Sequence, residues 1–129
     1  MNPSQTSQTG SIGEEIAAKF LQKKGFRIVE MNYRKPWGEI DIIAEKGGLM
    51  HFVEVKAVTG HVSDGSREMD YRPEEMVTRS KLIKVSRTAI LYMESKKDTR
   101  EFQVDVVGVI LDSERKIARC RYFAQVLED

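Results

Sequence analysis

Three charged side chains stand in a segment whose other residues are mostly typical of a protein core. Asp41, Glu54 and Lys56 lie within GEIDIIAEKGGLMHFVEVK, residues 38–56. Two carboxylates that face each other in a partly buried place need a proton or a cation between them. Carboxylate oxygens select Mg²⁺ or Mn²⁺ over Zn²⁺, and a bound ion can lower the pKa of its water. A neighbouring lysine can stabilise the negative charge that develops on a phosphoryl group, so the three residues indicate divalent-metal chemistry on phosphate.

A β-hairpin would bring these three side chains together. Gly47 and Gly48 can take the positive φ angles of a two-residue turn, and counting back along both arms places Asp41 opposite Glu54. Because strand side chains alternate, Glu54 and Lys56 share one face. The alternative is that Glu54 and Lys56 form a solvent-facing charge pair with Asp41 as a polar neighbour, which a slip of one residue in register would produce.

The rest of the chain predicts two long helices and three further strands. Gly25 suits the end of the first helix, and Pro73 suits the first turn of the second. The predicted elements are a helix over about 12–24, a strand over about 26–33, the two hairpin strands, a loop over about 59–71, a helix over about 73–96 and two strands in FQVDVVGVIL and IARCRYFAQV. Two amphipathic helices bury their apolar stripes most readily on opposite faces of a small sheet. The sequence therefore predicts an α/β fold with a mixed central sheet flanked by helices, in the order αβββαββ.

The composition is that of an ordinary globular protein. With 129 residues, 40% of them hydrophobic and 32% charged, the chain fits one domain with its own core. We expect a disordered polar tail over residues 1–10 and a single domain over 11–129. No apolar run approaches the roughly 18 residues of a membrane span, and the opening MNPSQTSQTG lacks the features of a signal peptide. The single cysteine, Cys120, excludes an internal disulfide and favours a cytoplasmic location.

Positive charge is concentrated in the second predicted helix. The net charge of the chain is only +1, but the stretch from Arg79 to Arg100 contains seven basic and two acidic residues. A basic helix of this kind can face the phosphates of a nucleic acid. The alternative is an ordinary solvated helix face.

The arrangement of Asp41, Glu54 and Lys56 as D…E-x-K resembles the PD-(D/E)xK nuclease superfamily. A longer part of the chain is similar to the YraN-like family of small bacterial proteins, through GEEIAAKFLQKKGFRIVEMNYR, GEIDIIA, FVEVK, KLIKVSRTAILYM and QVDVV. These segments cover most of residues 12–107. The resemblance implies a restriction-endonuclease-like core, similar also to that of archaeal Holliday-junction resolvases.

The resemblance also implies roles for individual residues. Asp41 and Glu54 match the metal-binding acids, Lys56 matches the catalytic lysine, and Glu14 matches a helical glutamate that joins the catalytic and metal-binding set. The residues that match nucleic-acid-binding positions are Arg34, Lys81, Lys84 and Arg87.

Two of the matched acids have alternative explanations. Ser11 and Glu14 could form a capping box that stabilises a helix start and takes no part in chemistry. Asp105 also matches an acid of the family, but its neighbours Val104 and Val106 favour a structural hydrogen-bonding role.

The leading hypothesis is a nuclease that depends on Mg²⁺ or Mn²⁺ and hydrolyses phosphodiester bonds in nucleic acid, with DNA, including branched or flapped structures, as the expected substrate. Trp37 could stack on a base or pack locally. The alternatives are a non-cleaving nucleic-acid-binding module with the same fold and an adaptor whose acidic pair is only structural. A homodimer that spans a duplex is also open. Zinc chemistry is excluded by a single cysteine and two separated histidines, and nucleotide hydrolysis by the lack of a phosphate-binding loop.

Overall fold

The computed structural model describes the backbone of residues 3–62 and 72–127, and the side chains from residue 8 onward within those ranges. Two helices, five strands and one 3-10 turn make up these ranges. In chain order they are α1 (Pro3–Lys23), β1 (Arg27–Lys35), β2 (Gly38–Lys46), β3 (Leu49–Thr59), the 3-10 turn (Pro73–Met76), α2 (Arg79–Ser95), β4 (Phe102–Asp112) and β5 (Ile117–Phe123). The predicted order αβββαββ and the α/β class are confirmed. No helix of the described ranges is long and apolar enough to cross a membrane.

The five strands form one mixed sheet in which the strand order follows the chain, β1-β2-β3-β4-β5. β3 and β4 are parallel, and the other three neighbouring pairs are antiparallel. The chain between β3 and β4 must cross over one face of the sheet, because two parallel neighbouring strands cannot be joined by a hairpin, and α2 forms this crossover. The sheet is therefore partly antiparallel and partly parallel, as the mixed sheet predicted from the sequence requires.

Two separate apolar cores lie on the two faces of this sheet. α2 contributes Leu82, Val85 and Ala89 to one core, which also contains Phe52 of β3. α1 contributes Ala17 and Leu21 to the other core. The expectation that the two helices lie on opposite faces is confirmed, since each helix buries its own apolar stripe against a different set of strand residues.

α1 begins at Pro3, so the start predicted near residue 12 was placed too late and residues 3–10 belong to the helix. No proline or glycine interrupts residues 4–9, and proline is tolerated in the first helical turn. The division of the chain into a tail over 1–10 and one domain over 11–129 otherwise stays a prediction. The predicted helix end is confirmed, because Gly25 has φ +96° and so takes the left-handed conformation that ends many helices.

The second helix also differs from the prediction. The segment from Pro73 was expected to continue as one helix, but it forms a 3-10 turn, and α2 starts only at Arg79. Thr78 ends the connection with extended backbone angles, and its hydroxyl accepts the N–H of Lys81 at 3.1 Å, which is an N-cap. Most of the loop predicted over 59–71 lies outside the described residues.

Candidate active site

The predicted hairpin register is confirmed over most of its length. β2 and β3 pair from Lys46–Leu49 to Ile42–Val53, and Gly47 and Gly48 have the positive φ angles of 60° and 79° that a two-residue turn requires. The pairing ends at Ile42, one residue before Asp41. The prediction that Asp41 and Glu54 form a regular cross-strand pair is therefore wrong in detail, although the two residues do meet.

The reason is an irregularity of β2 at Asp41. Ile40 packs in the core under α2, whereas Ile42, two residues later, packs in the core under α1. In a regular strand, residues two apart share one face. β2 therefore twists at Asp41, and this residue lies where β2 and β3 part.

The side chain of Asp41 replaces the missing backbone pairing. Its Oδ2 atom accepts the backbone N–H of Val55 at 2.8 Å. This bond satisfies a donor of β3 that the strand ladder leaves open, and it fixes the carboxylate between the two strands. Asp41 can consequently be reached from both faces of the sheet.

Glu54 meets Asp41 from the α2 side. Its ladder partner in β4 is Val106, a member of the core under α2. Burial, and next the negative charge of Asp41, raise the pKa of Glu54 from 4.5 to about 8, against the positive charge of Lys81. A half-buried carboxyl with this pKa carries a proton at neutral pH unless a cation replaces it.

Glu14 approaches Asp41 from the α1 side. Burial and the charge of Asp41 raise the pKa of Glu14 above its usual value, and a hydrogen bond with Asn32 opposes this rise. α1 can approach the sheet closely because the preceding residue is Gly13, where an added Cβ would overlap the Cβ of Ala57 in β3. The capping-box alternative for Glu14 is wrong, because α1 extends well before this residue and its start lies at Pro3.

Asn32 was not predicted as a site residue. Its neighbours Met31 and Tyr33 pair with Ile42 and Ile40 of β2, so Asn32 lies across from Asp41 in the interval that the ladder omits. It has φ +52°, a conformation that asparagine tolerates better than other residues with side chains. The sequence offers no signal for this conformation beyond the residue type.

Lys56 completes the predicted set. It follows Glu54 by two residues in β3, and its ladder partner is Gly108 of β4, so both side chains lie on the α2 face of the sheet. Lys56 is half-buried. Within the described ranges, no carboxylate lies within 4 Å of its ammonium group.

Two of the four predicted nucleic-acid-binding residues border the acids. Arg34 forms an ion pair with Glu39 at 2.7 Å, and Lys81 lies 3.5 Å from the same carboxylate. The charge of Arg34 acts on Glu14, and the charge of Lys81 acts on Glu54. Glu39, which the sequence did not single out, therefore holds two cations at the edge of the carboxylate cluster.

The other two predicted residues lie further along α2. Lys84 and Arg87 are exposed, and they follow Lys81 at intervals of three, so all three lie along one side of the helix. Trp37, in the turn between β1 and β2, is 58% exposed. Within the described ranges, no ion pair joins Lys84 or Arg87 to the acids.

The donor set formed by Glu14, Asp41 and Glu54 consists of carboxylate oxygens, which suits Mg²⁺ or Mn²⁺. In the part of the chain that the structure describes, no three His, Cys, Asp or Glu side chains already stand in a metal-binding arrangement. The fit of a divalent ion therefore depends on the half-buried pair of Asp41 and Glu54, whose negative charges repel each other without a cation or proton.

Asp105 lies in a different cluster of polar side chains, where it has the structural hydrogen-bonding role expected from its neighbours Val104 and Val106. It accepts hydrogen bonds from the side chains of Gln103 and Tyr122 and from the backbone N–H of Gln125, and its Oδ2 lies 2.6 Å from Nδ1 of His51. Burial alone would raise the pKa of Asp105, but these bonds hold it below its usual value. The fully buried carboxylate joins β3, β4 and β5.

Comparisons with known proteins identify the family of the chain. Residues 13–109 match the model of the uncharacterised protein family UPF0102. A UPF0102 protein of Dictyoglomus thermophilum is 38% identical over 117 residues, which cover 89% of this chain and 92% of that relative. One of Wolinella succinogenes is 41% identical over 98 residues, 76% of this chain and 82% of the relative. The family expected from GEIDIIA, FVEVK and the flanking segments is confirmed, and the chain belongs to the uncharacterised protein family UPF0102.

Proposed function

We propose that this protein is a divalent-metal-dependent nuclease that hydrolyses phosphodiester bonds in DNA, including branched or flapped structures. The observation that carries the proposal is the meeting of Asp41 and Glu54 where β2 and β3 part, with a glutamate pKa raised to about 8. Structural ion pairs in proteins normally match a carboxylate with a cation, whereas this cluster sets acid against acid.

A bound divalent ion would remove the repulsion between the two carboxylates. Mg²⁺ usually keeps several waters and is held by one or two carboxylates together with substrate phosphates. Asp41 and Glu54 would hold the ion, and Glu14 would serve as a direct or water-mediated ligand. When bound, such an ion supplies positive charge against the phosphoryl oxygens and lowers the pKa of a bound water.

The remaining residues act on the phosphate and the nucleic acid. Lys56, on the same face as Glu54, stabilises negative charge on the phosphoryl group. Arg34 and Lys81 border the acids and contact phosphates that flank the scissile bond, while Lys84 and Arg87 extend the basic surface along α2. The exposed Trp37 offers a surface on which an unpaired base can stack.

The proposal includes a restriction-endonuclease-like arrangement of the fold. A helix with a site glutamate, a β-meander that carries D…E-x-K, and a crossover helix before a parallel strand support it.

Calorimetric titration of Mn²⁺ tests the metal site directly. Wild type should bind the ion near neutral pH, and Asp41→Asn and Glu54→Gln should each weaken binding by at least about tenfold, since a lost ligand commonly costs this much or more. Glu15→Gln is the matched control, because Glu15 is an exposed glutamate beside Glu14. Unchanged Mn²⁺ affinity in both site variants would refute the assignment of these ligands.

Cleavage of branched and linear DNA with Mg²⁺ then tests the activity. Lys56→Met should abolish cleavage and leave metal binding intact.

The second candidate, a non-cleaving nucleic-acid-binding module, is favoured specifically by the exposed basic side of α2. It predicts DNA binding whose affinity falls steeply with salt, because phosphate contacts release counterions, but no cleavage under any metal condition.

A further inference from the structure

A row of three residues crosses the sheet beside the candidate active site. Gly108 of β4 pairs with Lys56 of β3 on one side and with Arg121 of β5 on the other. Directly paired residues point to the same face of a sheet, so two cationic side chains flank a position that has no side chain.

The carboxylate of Glu74 lies above this glycine. Glu74 belongs to the 3-10 turn, and its side chain is only 10% exposed. A Cβ atom at Gly108 would stand 2.5 Å from Oε1 of Glu74 and 3.2 Å from its backbone nitrogen. Glycine at this position is therefore what lets the glutamate rest on the sheet.

Only one of the two carboxylate oxygens of Glu74 has a partner. Oε2 lies 3.7 Å from Nη1 of Arg121, whereas Oε1 is buried and has no hydrogen-bond partner. A buried charged oxygen without a partner is costly, so native structures normally pair it. Lys56 stands beside Gly108, and neighbouring strands are about 4.8 Å apart. Its ammonium makes no ion pair with a carboxylate of the described ranges, and a change of side-chain rotamer can bring it to Oε1.

We propose that Glu74 is a positioning residue for Lys56, pairing with its ammonium from above Gly108 while Arg121 occupies the other oxygen. The catalytic part of this role rests on the proposed function. Without Glu74, the nearest acid on the same strand face is Glu54, two residues away. An ammonium drawn to Glu54 would take the place of the metal ion, so Glu74 leaves Asp41 and Glu54 available for the cation and holds Lys56 beside them.

A double-variant cycle in urea unfolding tests the contact without any nuclease assay. The variants are Glu74→Gln, Lys56→Met and the two combined. If the pair exists, the combined effect should differ from the sum of the single effects by at least about fivefold in the unfolding equilibrium constant. Glu75→Gln, at the exposed neighbouring glutamate of the same 3-10 turn, is the matched control and should combine additively with Lys56→Met. Additivity in the Glu74 cycle, or equal coupling in the Glu75 cycle, would overturn the proposal.

If Glu74→Gln does not fold, the wild type itself provides the measurement. Nitrogen-15 spectra should contain a lysine ammonium signal protected from solvent exchange that disappears in Lys56→Met. The absence of such a signal would also overturn the pairing.

Kinetics then separates positioning from a purely structural role. Glu74→Gln should lower kcat for DNA cleavage by at least about tenfold with little change in KM, because only the placement of Lys56 in the transition state is lost. Glu75→Gln should change neither constant. Coupling in the unfolding cycle together with no cleavage by the wild type would refute the nuclease function and leave the Lys56–Glu74 pair standing. Cleavage by the wild type with no coupling would refute only the role of Glu74.

Discussion

Replacing Glu54 by glutamine should stabilise the metal-free protein at pH 8. Burial and the charge of Asp41 raise the pKa of Glu54 from 4.5 to about 8, so the folded state binds a proton that the unfolded state releases. Stability contributed by this proton is complete below about pH 4.5 and is lost as pH rises through about 8. Glutamine keeps the shape of the protonated acid and cannot ionise, which removes the loss.

The size of the effect follows from the pKa shift. At about 1.4 kcal/mol per pKa unit, the full shift corresponds to about 5 kcal/mol, which is a ceiling. Glu54 is half-buried, and solvent screens part of its interaction with Asp41. We therefore expect Glu54→Gln to exceed wild type by about 2–4 kcal/mol in the free energy of unfolding at pH 8 and to differ by less than about 1 kcal/mol at pH 5.

Urea unfolding of both proteins between pH 5 and pH 9 in a chelating buffer measures this difference. The exposed Glu15→Gln variant serves as the control and should follow wild type within about 0.5 kcal/mol throughout. Adding Mn²⁺ at pH 8 to about 100 times the dissociation constant of wild type should stabilise wild type by about 2.7 kcal/mol and Glu54→Gln by no more than about 1.4 kcal/mol, if its affinity is at least tenfold lower. If the free energy of unfolding changes with pH in the same way for wild type and Glu54→Gln, the inference that Asp41 and Glu54 repel each other would be refuted.

Three further predictions concern the surroundings of the site. Asp105→Ala should destabilise the protein by about 3 kcal/mol in urea unfolding at pH 7, because buried donors lose their acceptor; a loss below about 1 kcal/mol would contradict this. Glu39→Gln should raise DNA affinity in fluorescence anisotropy by releasing its two cationic partners, and an unchanged affinity would argue against phosphate contacts there. Gly13→Val should lower stability by about 1–3 kcal/mol and weaken Mn²⁺ binding, because the new side chain forces α1 away from Ala57, whereas Gly10→Val, in open space, should leave Mn²⁺ affinity unchanged.

Much of the fold is determined by local sequence. Gly47 and Gly48 define the hairpin turn, Gly25 ends the first helix, and the spacing of apolar residues predicts the order of helices and strands along the chain. These signals act over a few residues, so they can be found without knowing the tertiary structure. The two boundaries that were placed wrongly, at Pro3 and Pro73, lie at polar or proline-containing segments where local preferences favour several conformations.

The sequence also predicted that Asp41 and Glu54 meet, but for a simpler reason than the structure shows. Counting from the turn predicted that Asp41 and Glu54 meet across a regular strand pair. In the structure the ladder ends before them, β2 changes faces at Asp41, and the carboxylate takes the N–H of Val55 instead. Such an irregularity depends on packing against both cores and has no local signature.

What only the tertiary structure decided is which distant residues surround those acids. The sequence by itself determined the family and the element order, and it predicted that Asp41, Glu54 and Lys56 lie close together. The contact of Asn32 with Glu14, the hold of Glu39 on two cations, and the placement of Glu74 above Gly108 join residues far apart in the chain. These contacts follow from how α1, the 3-10 turn and α2 dock on the sheet, and docking is set by the fit of whole surfaces, which no short segment encodes.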